Sequence, residues 1–306
     1  MSTLTSAPVR QRVDMATAVA LLVTLILWAS AFPGIRAALV GFSPGELALL
    51  RFLVASVVLV LSIPLTHIRV PPARDIPKLA LLGAIGITTY HLALNYGETR
   101  VSAGAASFLV NTVPIFMALL ASMLLGERLH AVGWLGLFVS LAGSVVIAAG
   151  AGAGYGVNPW VGLILAAAMC QALFSVLQKP LLRSYRPIEL TAYAIWSGTV
   201  FSLGFLPGLE GALRAAPLNA TLAAVYLGAF PTALGYLTWA FVLSRQSAQK
   251  AGSFLYFVPV LTMIIAWMWL GELPSVLTLA GGALALVGVA LVNTSTITKA
   301  RQRALS

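Results

Sequence analysis

The sequence predicts an all-α integral membrane protein whose ten transmembrane helices form two inverted five-helix repeats around a central cavity. The first observation is an internal repeat. At a shift of 145 residues, positions 111–129 fall on 256–274, with Pro114 on Pro259. The second is composition, since 8% of residues are charged, against about 25% in soluble domains. The third is that each repeat holds five apolar segments, an odd number, which turns the second repeat upside down in the bilayer.

Ten apolar segments have roughly the 20 residues needed to cross the hydrocarbon core of a bilayer. In chain order they are 16–40, 45–65, 76–97, 102–125, 131–149, 160–180, 189–206, 218–242, 250–270 and 275–293. The chain then divides into a cytoplasmic N-terminal tail (1–15), a first repeat (16–149), an external linker (150–159), a second repeat (160–293) and a cytoplasmic C-terminal tail (294–306). Connections this short predict that the protein has no separate soluble domain.

The first segment has some features of a secretory signal, because basic residues precede an apolar run that reaches Ala29-Ser30-Ala31. The apolar run continues past Ala31, however, and the repeat needs this segment as the partner of the sixth. We therefore expect the first segment to stay in the mature protein.

The net charge of +10 would suit a nucleic-acid-binding protein, but the distribution of Lys and Arg does not. Of the 18 cations, Arg36, Arg100 and Arg214 lie on one side of the predicted membrane, Arg51 lies inside the second segment, and the other fourteen lie on the opposite side. This asymmetry follows the positive-inside rule. It predicts a multi-pass protein of the cell inner (plasma) membrane with both termini in the cytoplasm. The lipid bilayer is its partner, and no nucleic acid is expected.

Acidic residues are absent from the predicted midplane of the membrane, because all eight lie at segment ends or in connections. A carrier of cationic drugs normally keeps a buried acid. A carrier of phosphorylated solutes would need a basic cluster, for which Arg51 is the sole candidate. The interior is therefore predicted to suit neutral or zwitterionic solutes. Glu127 and Glu272, which match in the repeat, are expected to form loop and cap hydrogen bonds, with proton transfer or gating as the alternative.

Two matched prolines, Pro114 and Pro259, lie near the centres of the fourth and ninth segments. Proline removes a backbone hydrogen bond and kinks its helix, and the freed carbonyl is tolerated in a membrane only against protein or water. Paired interruptions in corresponding segments indicate a transport site. We predict that both prolines are helix hinges beside a cavity. The alternative is that they only permit close helix packing.

His91 is the one histidine inside a predicted segment. An unpaired imidazole is costly in lipid, so its side chain must face protein or water. A hydrogen bond to a neighbouring helix is the simpler interpretation, and substrate contact or proton relay is the alternative.

Four strings resemble the ten-helix exporters of the drug/metabolite transporter superfamily, and the similarity extends over 16–293. They are WASAFPGIRAAL (28–39), SPGELALLRF (43–52), LNYGETRVSAGAASFLVNTVPIFMALLASMLLGERL (94–129) and FLYFVPVLTMIIAWMWLGEL (254–273). The resemblance implies two inverted five-helix bundles, a central cavity and export of small metabolites, commonly amino acids. The aromatic-rich interior is similar to that of the aromatic amino acid exporter branch. Family position and membrane depth together imply these substrate-binding residues: Trp28, Tyr90, His91, Asn111, Gln171 and Tyr256.

We therefore expect a secondary transporter that exports small neutral or zwitterionic metabolites by alternating access, with amino acids, including aromatic ones and methionine, as its substrates. A multidrug or sugar-nucleotide-like transporter of the same fold, or a passive facilitator, is the alternative. Proton coupling stays open, and a monomer or weak dimer is expected. The sequence has neither a G-x-S-x-G nor an H-E-x-x-H motif, so we predict no enzymatic activity, no metal and no cofactor.

Overall fold

Helices make up all regular secondary structure in the residues that the computed structural model describes, which are 14–125, 131–150, 159–246, 251–252 and 254–303. The first half contains α1 (Met15–Ala38), α2 (Pro44–Thr66), α3 (Ile76–Leu82), α4 (Tyr90–Glu98), α5 (Ala103–Val110), α6 (Val113–Leu125) and α7 (Ala131–Gly150). The second half contains α8 (Pro159–Leu181), α9 (Pro187–Ser202), α10 (Leu206–Ala215), α11 (Leu218–Leu227), α12 (Gly235–Arg245), α13 (Val258–Leu270) and α14 (Val276–Arg303).

Six helical runs in the described residues are long and apolar enough to cross a membrane. They are Met15–Ala38, Pro44–Thr66, Ala73–Glu98, Pro159–Leu181, Pro187–Ala215 and Leu218–Arg245. Four shorter apolar helices accompany them: Ala103–Met117, Trp134–Ile147, Val258–Leu270 and Val276–Gly288. An all-helical chain with long, poorly charged helices is an integral membrane protein, as the composition predicts.

The seventh apolar segment is longer than predicted, because its helical run continues from 206 to Ala215. Pro207 follows a short 3₁₀ turn and occupies the second position of α10, where the missing N–H costs no hydrogen bond. In the same way α14 runs to Arg303, into the predicted C-terminal tail. Residues 1–13 of the predicted N-terminal tail and 151–158 of the predicted linker lie outside the described residues.

Two π-helical segments interrupt the long runs at positions that differ by 145 residues. Gly83–Thr89 joins α3 to α4, and Gly228–Leu234 joins α11 to α12. A π-helix widens the turn and rotates the residues that follow it, and such segments are frequent at functional sites. Here they set the direction of the first residues of α4 and α12.

The starts of these two π segments lie against α9 and α2 at backbone distance. A Cβ built on Gly83 would lie 2.6 Å from the carbonyl oxygen of Ala194, and one built on Gly228 would lie 2.6 Å from that of Arg51. Only glycine permits such an approach. The two contacts match, since Gly83 and Gly228 are 145 residues apart and Arg51 and Ala194 are 143 apart.

The helices α7 and α14 also pack through glycines. A Cβ on Gly143 would lie 2.6 Å from the carbonyl oxygen of Gly281, and a Cβ on Gly288 would lie 2.5 Å from that of Gly136. A shift of 145 residues turns Gly136 into Gly281 and Gly143 into Gly288. Each contact therefore becomes the other when the two halves are exchanged.

The helices α2 and α9 begin in the same way, on the strings SPGEL and RPIEL. Glu46 accepts a hydrogen bond from the backbone N–H of Ser43 at 2.8 Å, and Glu189 accepts one from that of Arg186 at 2.9 Å. A proline follows each cap residue, and its fixed φ suits the first helical position. Of these two helices, α2 contributes a residue, Arg51, to the cavity described next.

Candidate functional site

A cavity lies among α1, α2, α4, α5, α8 and α12, and it collects most of the predicted substrate-binding residues. Five of the six line it: Trp28, Tyr90, His91, Asn111 and Gln171. The side chain of the sixth, Tyr256, lies outside the described part of the chain, although its neighbours Leu255 and Val258 line the cavity. The sequence therefore identified residues that meet in one place.

The cavity volume is about 50 Å³, and a buried water needs about 10–15 Å³. The space therefore accommodates a few water molecules.

The cavity wall is built from positions that correspond in the two halves. Trp28 on α1 and Gln171 on α8 are 143 residues apart, and His91 and Tyr236 are 145 apart. The apolar lining follows the same relation, with Val110 matched to Leu255 and Val113 matched to Val258. Sequence reasoning missed Tyr236, which the same shift applied to His91 would have identified.

Aromatic rings form one side of the cavity. The ring centroid of Trp28 lies 5.6 Å from that of Tyr236 and 5.2 Å from that of Trp239, while His91 lies 5.8 Å from Tyr236 and 4.6 Å from Tyr90. These tilted and edge-on contacts are the favourable arrangements of aromatic rings. The rings therefore form a large apolar surface whose side chains have few rotatable bonds.

Hydrogen bonds orient two of these rings. His91 Nδ1 lies 2.7 Å from the carbonyl oxygen of Ile87, and because a carbonyl only accepts, Nδ1 carries the proton. The predicted partner on a neighbouring helix is therefore wrong, since Ile87 belongs to the π segment of the same helical run. The Tyr236 hydroxyl lies 3.3 Å from the carbonyl oxygen of Gly86 and 3.4 Å from Gln171 Oε1.

Pro114 and Pro259 lie just beyond breaks in the helices beside the cavity. α5 ends at Val110 and α6 begins at Val113, and a 3₁₀ turn, Leu255–Phe257, precedes α13. Each proline is the second residue of its helix, where the missing N–H leaves no broken hydrogen bond. The expectation of a kink in a continuous helix is therefore wrong in detail. The interruption lies before each proline, where the ring disfavours helical backbone.

Arg51, which the sequence offers as the sole basic candidate in the interior, lies on the cavity wall. It is 2% exposed, and its Nε donates to Thr232 Oγ1 at 3.1 Å. The side chains of Asp and Glu are absent from the described lining. The signal in the sequence was a lone cation within a membrane segment, which is retained mainly for function.

Three donors on the cavity wall have no hydrogen-bond partner within the described residues. They are Trp28 Nε1, Arg51 Nη1 and Asn111 Nδ2, and all three are buried. Buried polar groups in native proteins are nearly always paired. These three donors are left without an acceptor in the described structure.

An ion pair and a hydrogen bond connect the end of α1, the segment after α13 and the start of α5. Arg36 Nε donates to Glu272 Oε1 at 3.2 Å, and Glu272 Oε2 accepts the backbone N–H of Ala103, the first residue of α5, at 3.1 Å. The predicted cap hydrogen bond of Glu272 is thus confirmed, whereas Glu127 lies outside the described residues. Arg36 Nη1 also donates to the carbonyl oxygen of Glu98 at 2.8 Å.

Metal ligands do not gather in this protein, as far as the structure describes it. In those ranges no three His, Cys, Asp or Glu residues lie close enough together to hold a metal ion. The polar groups of the described lining are two amides, three hydroxyls, one imidazole, one indole N–H and one guanidinium, beside the aromatic faces.

Comparison with known proteins gives concordant results. The sequence model described as the EamA-like transporter family matches residues 15–149 and residues 158–294. A relative from Streptantibioticus cattleyicolor, named "Probable terminal-alkyne amino-acid exporter", is 43% identical over 284 residues, which cover 92% of this chain and 95% of the relative. A relative from Bacillus subtilis, named "Uncharacterized transporter YdfC", is 44% identical over 263 residues, 86% of each chain. A solved crystal structure with 22% sequence identity aligns with a TM-score of 0.62, covering 90% of this chain and 95% of that one, and thus shares the fold.

Proposed function

Because this chain belongs to the EamA-like transporter family, and is therefore a membrane transporter rather than an enzyme, we propose that it exports small zwitterionic metabolites, chiefly amino acids. The observation that carries the proposal is the cavity wall, which joins an aromatic surface to a few polar groups. Such a wall packs an apolar or aromatic side chain while hydrogen-bonding the charged groups of an amino acid. The named function of the S. cattleyicolor relative, at 43% identity, points to the same solute class.

Ten transmembrane helices in two inverted five-helix repeats are the architecture proposed for this function. The family model matches each half once. The π segments, the glycine contacts of α2 and α9, and the exchangeable contacts of α7 and α14 support a two-fold relation between the halves. In such transporters the substrate site lies where the repeats meet, and Trp28 and its counterpart Gln171 line one cavity here.

Alternating access is the proposed mechanism. The breaks before Pro114 and Pro259 are the proposed hinges about which the adjoining helices move. Tyr256, which corresponds to Asn111 in the repeat, is expected to join the wall. Transport coupled to a proton gradient and facilitated diffusion are both compatible with this scheme.

Orientation follows from charge. Fourteen cations lie on one side of the proposed membrane and three on the other. By the positive-inside rule, the side with fourteen is the cytoplasmic side of the inner membrane, and both termini belong to it. The linker at 150–159 is then external, and export moves solutes toward that side.

Selectivity among neutral amino acids is expected to be broad. An apolar pocket separates side chains by only about 1–3 kcal/mol per methylene, so phenylalanine and methionine should both be carried. A dicationic drug finds no acidic partner among the described lining residues. A nucleotide sugar is not expected to be carried, because it has two phosphates and one arginine is not a basic cluster.

The test is solute flux in proteoliposomes that contain the purified protein. Labelled phenylalanine, methionine, a dicationic drug and a nucleotide sugar are compared in the same vesicles, with and without a proton gradient, and protein-free vesicles are the control. We expect saturable flux of both amino acids and none of the other two solutes. Rapid flux of the dication or of the nucleotide sugar, without flux of either amino acid, would replace the proposed substrate class. Acceleration by the gradient would indicate proton coupling.

A further inference from the structure

Arg51 is a buried cation on the wall of the cavity, and we propose that it binds the carboxylate of the exported solute. In this role, which rests on the proposed export function, Arg51 restricts transport to solutes with an anionic group at one end and an apolar or aromatic group at the other. Amines that lack the carboxylate are excluded.

Arg51 forms no ion pair within the described residues. Its guanidinium is always protonated, it is 2% exposed, and the described Asp and Glu side chains that form ion pairs do so with other cations. The buried carboxylate of Glu98 interacts electrostatically with Arg51 but lies beyond ion-pair distance. Nε has a neutral partner, the hydroxyl of Thr232. A buried cation without a directly paired anion is unfavourable, and Arg51 lines the cavity, which is the space in which an anionic group can reach it.

The cation is not a requirement of the fold. In the other half, the residue that corresponds to Arg51 is Ala194, and the backbone contacts of the two with Gly228 and Gly83 have the same 2.6 Å distance. The residue that corresponds to Thr232 is Ile87, whose side chain cannot accept a hydrogen bond from a guanidinium. The Arg51–Thr232 pair is therefore an addition to the repeated scaffold, placed on one side of the cavity.

Asn111 adds a second possible donor to this site. It lines the same cavity, and its Nδ2 also lacks a partner in the described structure. A carboxylate accepts several hydrogen bonds at once, and its two oxygens match the planar fork of a guanidinium. The rings of Trp28 and Tyr236 then lie beside the solute's side chain, and Gln171 Oε1 is an acceptor for its ammonium group.

Direct binding to the purified full-length protein, measured by isothermal titration calorimetry, tests this role. The ligands are phenylalanine, 3-phenylpropionate, which lacks the ammonium group, and phenethylamine, which lacks the carboxylate. We expect the unaltered protein to bind both carboxylates at least about tenfold more tightly than phenethylamine. Inorganic phosphate is the fourth ligand, and tighter binding of phosphate than of either carboxylate would overturn the proposal.

Substitutions locate the effect. In Arg51→Gln, binding of both carboxylates should weaken by about tenfold to a hundredfold, while phenethylamine binding is unchanged. The affinity of Arg51→Lys for both carboxylates should lie between those of the unaltered protein and Arg51→Gln, because lysine keeps the charge but not the planar fork. Arg214→Gln is the matched control, since it removes one exposed cation whose ion pair with Glu210 lies on the surface.

The outcomes separate this role from the export function. Equal affinity of the unaltered protein for phenylalanine and phenethylamine, failure to bind either carboxylate, or parental carboxylate affinity in Arg51→Gln would each overturn the role of Arg51. If Arg51→Gln does not fold, the ligand comparison on the unaltered protein decides. If phenylalanine flux persists undiminished in Arg51→Gln, the proposed role of Arg51 is wrong and the proposed export function stands. If 3-phenylpropionate binding depends on Arg51 but no amino acid is transported, the role of Arg51 stands and amino acid export is wrong.

Discussion

Trp28 fits against α12 only because residue 235 has no side chain. A Cβ built on Gly235 would lie 2.8 Å from Trp28 Nε1 and 3.1 Å from its Cδ1, closer than unbonded atoms allow. The same indole contacts Tyr236 and Trp239, so its position is determined from two sides. At the scale of single residues, the shape of the cavity thus depends on a missing methyl group as much as on the aromatic rings.

The substitution Gly235→Ala should displace the Trp28 indole and reduce phenylalanine flux in proteoliposomes severalfold. Overpacking of this kind costs about 1–3 kcal/mol, part of which alanine returns through its better helix propensity. Thermal unfolding in detergent should therefore shift little. Gly162→Ala on α8 is the control, since a Cβ there meets no atom within 4 Å. Parental flux in Gly235→Ala would mean that the position of Trp28 does not matter for transport.

Breaks in the helices lie where the two halves meet the cavity. α5 stops at Val110, α6 starts at Val113, and the 3₁₀ turn Leu255–Phe257 precedes α13. Val110, Asn111 and Val113, from the first break, all line the cavity. At the scale of elements, the protein thus combines long helical runs, capped and packed through glycine, with two short interruptions, which are the proposed hinges.

Replacing Pro114 or Pro259 with alanine should lower the transport rate and leave folding intact. Alanine restores a backbone N–H and removes the ring, so α5 can continue into α6, and the turn before α13 can become helical. Solute flux and thermal unfolding are measured for each variant. Pro64→Ala is the control, because Pro64 lies inside α2, exposed and outside the cavity lining. If both single variants transport like the parent, the two prolines serve packing alone.

At the scale of the whole molecule, fourteen of the 18 basic residues lie on one side of the predicted membrane. The proposed inversion of the second half relative to the first rests on five predicted segments per repeat, and the exchangeable glycine contacts of α7 and α14 accord with it. In this arrangement both termini and the connection between α8 and α9 are cytoplasmic, and residues 150–158 face outward.

Cysteine labelling of intact cells tests this topology. The native Cys170 is first replaced by alanine, and single cysteines are then introduced as Ala153→Cys and Ser184→Cys. A membrane-impermeant maleimide added from outside should label the first variant and not the second. Detergent-permeabilised cells, in which both should react, provide the control. The opposite pattern would overturn the orientation and the inverted repeat together.

The sequence alone predicts much of the architecture of this protein, because its strongest signals, hydropathy and an internal repeat, can be read along the chain. Hydropathy places the membrane segments, because the bilayer demands about 20 apolar residues per span. The shift of 145 residues pairs elements that later meet in space, as Trp28 and Gln171 do. The sequence also predicts that Asn111 and His91 face a protein-lined interior, because lipid offers their polar side chains no hydrogen-bond partner.

Only the tertiary structure decided which face each helix turns to the cavity. Arg51 looked like one cation within an apolar segment, and its place on the wall depends on the close approach of Gly228 to α2 and on the hydroxyl of Thr232, 181 residues away along the chain. The two π segments rotate the helices that follow them, and hydropathy carries no sign of such a rotation. Helix direction and rotation arise from backbone contacts between distant residues, and a pattern read along one chain does not contain those contacts.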